Sequence, residues 1–125
     1  QAIENEEMPS LVDLLRLDQE AFRTKFHDSP ILRAKRVGLL RSAAIALGNH
    51  PSASGTVSAG LTSLCGVLHD NEPVIRGAAA WALGQWHRRM PKIAITIVDA
   101  LKVRLADEHD ETVRQEILSV IGQTK

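Results

Sequence analysis

Four basic side chains within nine residues are the part of this sequence best suited to a chemical role: Arg33, Lys35, Arg36 and Arg41. Lysine and arginine contact phosphate oxygens, and such contacts position a nucleic acid without reading its sequence. Bases outnumber acids by five between residues 22 and 50, whereas acids outnumber bases by five between residues 1 and 21. A local basic cluster is typical of a polyanion-binding surface. A contact between the acidic and basic segments within the protein explains the same charges, so both interpretations remain open.

The sequence contains no recognisable catalytic motif. It lacks a G-x-x-x-x-G-K-[ST] phosphate loop, a G-x-G-x-x-G fingerprint and a G-x-S-x-G elbow. Cys65 is the single cysteine, which excludes a disulfide framework and a cysteine-held metal cluster within the chain and favours a reducing, cytoplasmic setting. No histidine pair stands at metal-binding spacing beside that cysteine. We therefore predict neither catalytic residues nor a metal site in this chain.

The basic residues lie in a segment whose ends predict one long helix, from residue 29 to residue 49. Ser29 provides a side-chain acceptor for the first turn, and Pro30 occupies a position where a missing N–H has no cost. Gly48 is predicted to adopt the left-handed conformation that ends many helices. This helix is the element that must position the four cations.

Apolar periodicity and turn residues also divide the remaining chain into predicted helices separated by turns. Residues 1–10 read as an acidic lead-in, and 11–125 as one repeat domain. Further helices are predicted at residues 11–17, 18–26, 56–68, 73–84 or one turn beyond, 91–107 and, capped by Asp110, 111–125. No apolar run approaches the roughly 18 residues needed to span a bilayer, so no membrane partner is predicted.

The second helices of three pairs resemble one another: LLRSAAIALG, IRGAAAWALG and VRQEILSVIG. Gly84 follows Gly48 by 36 residues, and Gly122 follows Gly84 by 38. Self-similarity at this period indicates a helical solenoid. The pattern resembles HEAT repeats and predicts an all-α, right-handed α-α superhelix of about three helical hairpins, with units at about 18–49, 56–87 and 91–125.

Two arginines stand at the same place in their repeats and predict a structural ladder between units. These are Arg76 and Arg114, with Asp70 and Asp110 among the nearby acids that could pair with them. The first unit has Leu40 at this place and Arg41 one step later. Arg41 is therefore expected to lie outside the ladder and to face a partner.

A longer stretch of the sequence, from about residue 10 to 90, closely resembles the C-terminal HEAT-like region of epoxyqueuosine reductases. The likeness rests on the RAKR-x-GLLR segment together with Phe22, Phe26, Ser29-Pro30, Arg33 to Arg36, Gly38 to Arg41, Ala46 to Asn49, Arg76-Gly77 and Ala80 to Gly84. Two positions depart from the family: Ser42 stands where Asn is usual, and Ala78 where His is frequent.

The resemblance implies a C-terminal module of a tRNA-modifying enzyme that reduces the epoxide of epoxyqueuosine. The cobalamin and two four-iron, four-sulfur clusters of that family would then be held by an upstream catalytic domain, and the tRNA anticodon region would be the partner. The RNA contacts expected here are Arg33, Lys35, Arg36, Arg41 and Asn49. A protein-binding scaffold or adaptor of the HEAT type, with no role in tRNA modification, is the alternative.

Overall fold

A computed structural model of the chain describes residues 11–15 and 30–122. These residues form six α-helices and contain no strand: α1 (Leu11–Leu15), α2 (Pro30–Asn49), α3 (Val57–Val67), α4 (Pro73–Arg89), α5 (Ala94–Asp107) and α6 (Glu111–Ile121). Short 3-10 turns at Pro51–Ser54 and Pro91–Ile93 precede α3 and α5. The prediction of an all-α fold is confirmed. The predicted lead-in at 1–10, the helix at 18–26 and the cap at Ser29 lie outside the described residues.

Side-chain caps and prolines set the helix starts. The Oγ1 of Thr56 accepts a hydrogen bond from the backbone N–H of Ala59 at 3.0 Å. The Oδ1 of Asp110 accepts one from the N–H of Val113 at 3.0 Å, which confirms the predicted start of α6. Each cap satisfies a first-turn donor that has no partner within its helix. Pro73 stands at the first position of α4 and needs no such acceptor, because proline has no backbone N–H.

Helix α4 is the central element of the described chain. It packs against α2 on one side and α6 on the other, and it also contacts α3 and α5. Helices α2, α4 and α6 thus lie side by side in chain order, with α3 and α5 packed behind them. Among the described residues, the buried apolar core between these layers is aliphatic apart from the indole of Trp86, and its other fully buried members include Leu47, Leu64, Leu83 and Leu101.

Gly48 and Gly84 lie inside α2 and α4, so the predicted left-handed conformation of Gly48 is wrong. A Cβ at Gly48 would lie 2.7 Å from the Cζ3 of Trp81 and 3.0 Å from the Cα of Ala82. A Cβ at Gly84 would lie 2.7 Å from the Cγ2 of Val120. Gly48 therefore allows the close approach of α2 to α4, and Gly84 that of α4 to α6, whereas Gly122 caps the end of α6.

This close approach predicts opposite effects of alanine at two glycines of the same helix. Gly38 is exposed and a Cβ there would meet nothing within 4 Å, so Gly38→Ala should raise the free energy of unfolding by about 0.5–1 kcal/mol. Gly48→Ala should lower it by about 1–3 kcal/mol because backbone as well as side-chain atoms of α4 must move. Urea denaturation of both variants measures the difference. Equal stabilisation by the two alanines would contradict the packing described for α2 and α4.

The carboxyl end of α2 is covered by donors from the end of α4. The indole Nε1–H of Trp86 donates to the carbonyl of Leu47 at 2.8 Å. The guanidinium Nη1 of Arg89 donates to the carbonyls of Gly48 and Asn49, at 3.2 and 3.0 Å. The last carbonyls of a helix have no donor within it. Residues about 40 positions away in sequence supply those donors.

Candidate nucleic-acid interface and arginine ladder

Three of the four cations predicted on α2 face solvent. Arg33, Lys35 and Arg41 are exposed, as is Asn49 at the end of the helix. Among the described residues, no carboxylate lies within ion-pair distance of these three cations. Within the described part of the chain, these three charges therefore have no ion-pair partner.

Arg36, the fourth cation, does not face solvent, and its assignment as a phosphate contact is wrong. Its side chain is 1% exposed and forms a bidentate ion pair with Asp70, in which Nη1 lies 3.3 Å from Oδ2 and Nη2 contacts Oδ1. At 100° per residue, Arg36 lies on the same face of α2 as Leu40 and Leu47, both of which are fully buried. Arg36 therefore joins α2 to the turn between α3 and α4.

Arg76 makes the corresponding link between α4 and the turn between α5 and α6. Its Nε and Nη2 each donate to a carboxylate oxygen of Glu108 at 2.8 Å, and its Nη1 donates to the carbonyl of Asp70 at 2.9 Å. Arg104 adds a second guanidinium, with its Nε 3.2 Å from Glu108 Oε1. The acid of this ladder is thus Glu108, which is 2% exposed. The predicted ladder acid, Asp110, instead caps α6.

The turns before α4 and α6 repeat the same contacts at a spacing of 38 residues. The carboxylate of Asp70 accepts the N–H of Glu72, and that of Glu108 accepts the N–H of Asp110, at 2.9 and 3.1 Å. The backbone carbonyl of Asp70 accepts a hydrogen bond from the guanidinium of Arg76, six residues later. The backbone carbonyl of Glu108 accepts one from the guanidinium of Arg114, also six residues later, at 3.0 Å. Arg114 also donates to the carbonyl of Leu105 at 3.2 Å. The sequence repeat is therefore also a repeat of hydrogen bonds.

The buried ion pair between Arg76 and Glu108 shifts the pKa values of both side chains. Burial alone would raise the pKa of Glu108, but hydrogen bonds from Arg76 and from the N–H of Asp110, together with the nearby guanidinium charges, hold it below its ordinary value. The hydrogen bonds that Arg76 donates to Glu108 raise the pKa of Arg76. Burial raises the pKa of the Cys65 thiol, which reduces its thiolate fraction and makes it a poor nucleophile.

A groove with a cavity volume of about 540 Å³ crosses the layer of α2, α4 and α6. Its floor is one face of α4, formed by Val74, Gly77, Ala78 and Trp81. Arg41 lines it from α2, and the carboxyl-bearing residues that line it from α6 are Asp110 and Glu116. The two walls thus carry opposite charges. Sequence reasoning placed Arg41 toward a partner but did not find this groove, because its members come from three separate helices.

The described part of the chain offers no metal site and no membrane span. No group of three His, Cys, Asp or Glu residues stands close enough there to hold a metal ion. No described helix is both long and apolar enough to cross a bilayer. An iron–sulfur cluster needs several cysteine thiolates, so the single Cys65 cannot supply the ligand set implied by the family resemblance.

Comparison with known proteins gives two curated relatives. The chain is 32% identical over 119 residues to a Geobacillus stearothermophilus protein described as an uncharacterized protein in the gldA 3'region. It is 35% identical over 125 residues to the epoxyqueuosine reductase of Bacillus subtilis. Neither a protein-family profile nor a solved structure matches the chain. Each alignment includes 94% of this chain but only 50% of the first relative and 29% of the second, so the similarity concerns a part of each longer protein.

Proposed function

We propose that this chain is a HEAT-like module of an epoxyqueuosine reductase-like protein and corresponds to the C-terminal part of that protein. In this role it contributes to tRNA binding and supports a catalytic domain that carries the cobalamin and both iron–sulfur clusters in the cytoplasm. The observation that carries the RNA-binding role is the exposure of Arg33 and Lys35 on α2 with no described carboxylate to neutralise them. The 35% identity to a tRNA-modifying enzyme supports the choice of RNA as the polyanion.

The four remaining candidates on α2 differ in their surroundings. Lys35 and Asn49 lie on the solvent side of the helix, and Arg33 is exposed near its start. Arg41 lines the groove that also contains Asp110 and Glu116. Carboxylates repel phosphate, so Arg41 is expected to contribute less to RNA affinity than Arg33 and Lys35.

Binding of the 125-residue chain to a tRNA anticodon stem-loop across a salt series tests this role. If Arg33, Lys35 and Arg41 each neutralise one phosphate, affinity should fall by about 40-fold between 50 and 200 mM salt. The double variant Arg33→Glu, Lys35→Glu should bind weakly at every salt concentration and show a shallower salt dependence. Fluorescence anisotropy with a labelled stem-loop measures both quantities.

A matched pair of exposed lysines provides the control. Lys92 and Lys102 face solvent outside α2, so Lys92→Glu, Lys102→Glu makes the same change in net charge at another place. This control should retain most of the RNA affinity. Failure to bind at 50 mM salt, or equal losses in both double variants, would count against an RNA site on α2.

The protein-binding scaffold remains a second candidate function. The observation that favours it is the groove across α2, α4 and α6, whose apolar floor and mixed charges differ from the basic surface of α2. The groove and the basic surface of α2 share Arg41 but otherwise use different residues, so the two functions need not exclude each other.

A further inference from the structure

The floor of the groove is a partly exposed apolar strip with a depression at its middle. Gly77 and Ala78 lie three and four residues after Val74, and Trp81 lies four and three residues after them, so all four share one face of α4. Val74 is 52% exposed and Trp81 is half-buried. Gly77 and Ala78 lie between them and project almost no side chain. A large apolar side chain of a partner can therefore enter between the isopropyl group and the indole.

The dimensions of the groove suit a helix. Neighbouring helices usually pack about 8–10 Å apart, so α2 and α6, on either side of α4, are expected to lie no more than about 16–20 Å from each other. An α-helix with its side chains is about 10–12 Å across. One helix therefore fits over α4 and reaches both walls, as amphipathic helices do when they dock into apolar grooves.

The charges on the two walls specify the flanks of that helix. Arg41 on α2 has no ion-pair partner among the described residues. On the opposite wall, Glu116 likewise has none, and Asp110 uses one carboxylate oxygen to cap α6. A phosphate backbone in this groove would pair with one cation, Arg41, and would be repelled by two carboxylates, those of Asp110 and Glu116. The mixed charges thus favour a polypeptide that carries both signs over a nucleic acid.

We propose that this groove binds an amphipathic helix of a separate partner protein. The apolar stripe of that helix covers Val74 and Trp81 and places a large side chain over Gly77 and Ala78. Acidic side chains on one flank of the helix pair with Arg41, and basic side chains on its other flank pair with Glu116. This site is distinct from the exposed face of α2 that carries Lys35, so it does not depend on RNA binding.

A displayed library of 20-residue helical peptides, selected on the 125-residue chain, tests the proposal. Counter-selection uses Gly77→Leu, in which the new side chain fills the depression. A Cβ at this position has Val113 as its nearest neighbour, at 3.9 Å, so the variant is expected to fold. Gly38→Leu is the matched control, because Gly38 is also helical and unobstructed but lies away from the groove.

Selected peptides should share an apolar stripe with acids on one flank and bases on the other. Their affinity should fall by about tenfold or more in Gly77→Leu and stay unchanged in Gly38→Leu. In Arg41→Glu, selection should favour bases on the flank that was acidic. Val74→Glu changes an exposed residue of the floor and should weaken binding as Gly77→Leu does, which keeps the test decisive if the leucine variant does not fold.

Three results would overturn the proposal. The first is that no selected peptide distinguishes the wild-type chain from the groove variants. The second is a dimer of this chain, seen by analytical ultracentrifugation, that Val74→Glu dissociates, since a second copy would then occupy the groove. The third is an anticodon stem-loop whose affinity falls in Val74→Glu or Gly77→Leu but not in Gly38→Leu, which would assign the groove to RNA.

Discussion

Replacing Glu108 with alanine is expected to lower the free energy of unfolding by about 3–5 kcal/mol, the usual cost of removing one partner from a buried ion pair. Arg76 loses two charge-assisted hydrogen bonds in this variant, and Arg104 loses its neighbouring carboxylate. A domain of this size is stable by about 5–15 kcal/mol, so the loss is a large part of the total. Urea denaturation followed by circular dichroism measures it.

The control for this variant is the neighbouring acid Asp107. Asp107 is exposed, and no described hydrogen bond uses its carboxylate, so Asp107→Ala should change stability by no more than about 0.5 kcal/mol. Comparable losses in Asp107→Ala and Glu108→Ala would show that Glu108 does not hold the third unit in place.

The same carboxylate predicts the direction of a pH effect. Because the folded protein holds the pKa of Glu108 below its unfolded value of about 4.3, the folded state favours the ionised form. This contribution to stability is complete above the unfolded pKa and is lost as the pH falls through the folded pKa. Wild-type stability should therefore fall more steeply than that of Glu108→Gln below about pH 5, as denaturation midpoints across pH would show.

Arg36→Met is expected to destabilise the chain by a similar amount, about 3–5 kcal/mol, although its neighbour Lys35 tolerates change. Methionine keeps the apolar contacts of the buried side chain but leaves the carboxylate of Asp70 without its guanidinium partner. Lys35→Met at an exposed position should stay within about 0.5 kcal/mol of wild type. Thermal or urea unfolding of the two single variants measures this contrast.

A double variant separates the ion pair from other effects at Arg36. Arg36→Met combined with Asp70→Leu removes both charges and should recover part of the loss, because a buried pair can often be replaced by apolar residues at small cost. Simple additivity of the two single losses would show that Arg36 and Asp70 do not act together. The result also affects RNA measurements: a charge reversal at Arg36 would weaken binding by unfolding the chain, so that position cannot test phosphate contact.

Local signals in the sequence predicted most helix starts because proline and capping residues act on the turn in which they stand. Pro73 and Asp110 begin or cap helices as expected. Gly48 shows where such signals fail. A glycine near the end of an apolar pattern has the same appearance whether it ends a helix or admits a neighbouring one. Here the deciding contacts come from Trp81 and Ala82, more than 30 residues away.

The candidate site was predictable to a similar extent. Helical geometry alone places Arg36 on the face of Leu40 and Leu47, which is a local argument for its burial. The identity of its partner, Asp70, depends on how two units stack and cannot be read from either segment. Glu108 was missed for a related reason, since the nearby Asp110 carries the more familiar capping pattern. The 38-residue spacing between Asp70 and Glu108 is the one sequence signal that relates the two ladder acids.

The donors that α4 provides to the end of α2 have a consequence for how the protein opens. The ends of a protein chain usually open at a small free-energy cost when few contacts hold them. Here α2 cannot fray from its carboxyl end without releasing Trp86 and Arg89 as well. The amide protons of α2 and α4 are therefore expected to exchange with solvent together, as one cooperative unit.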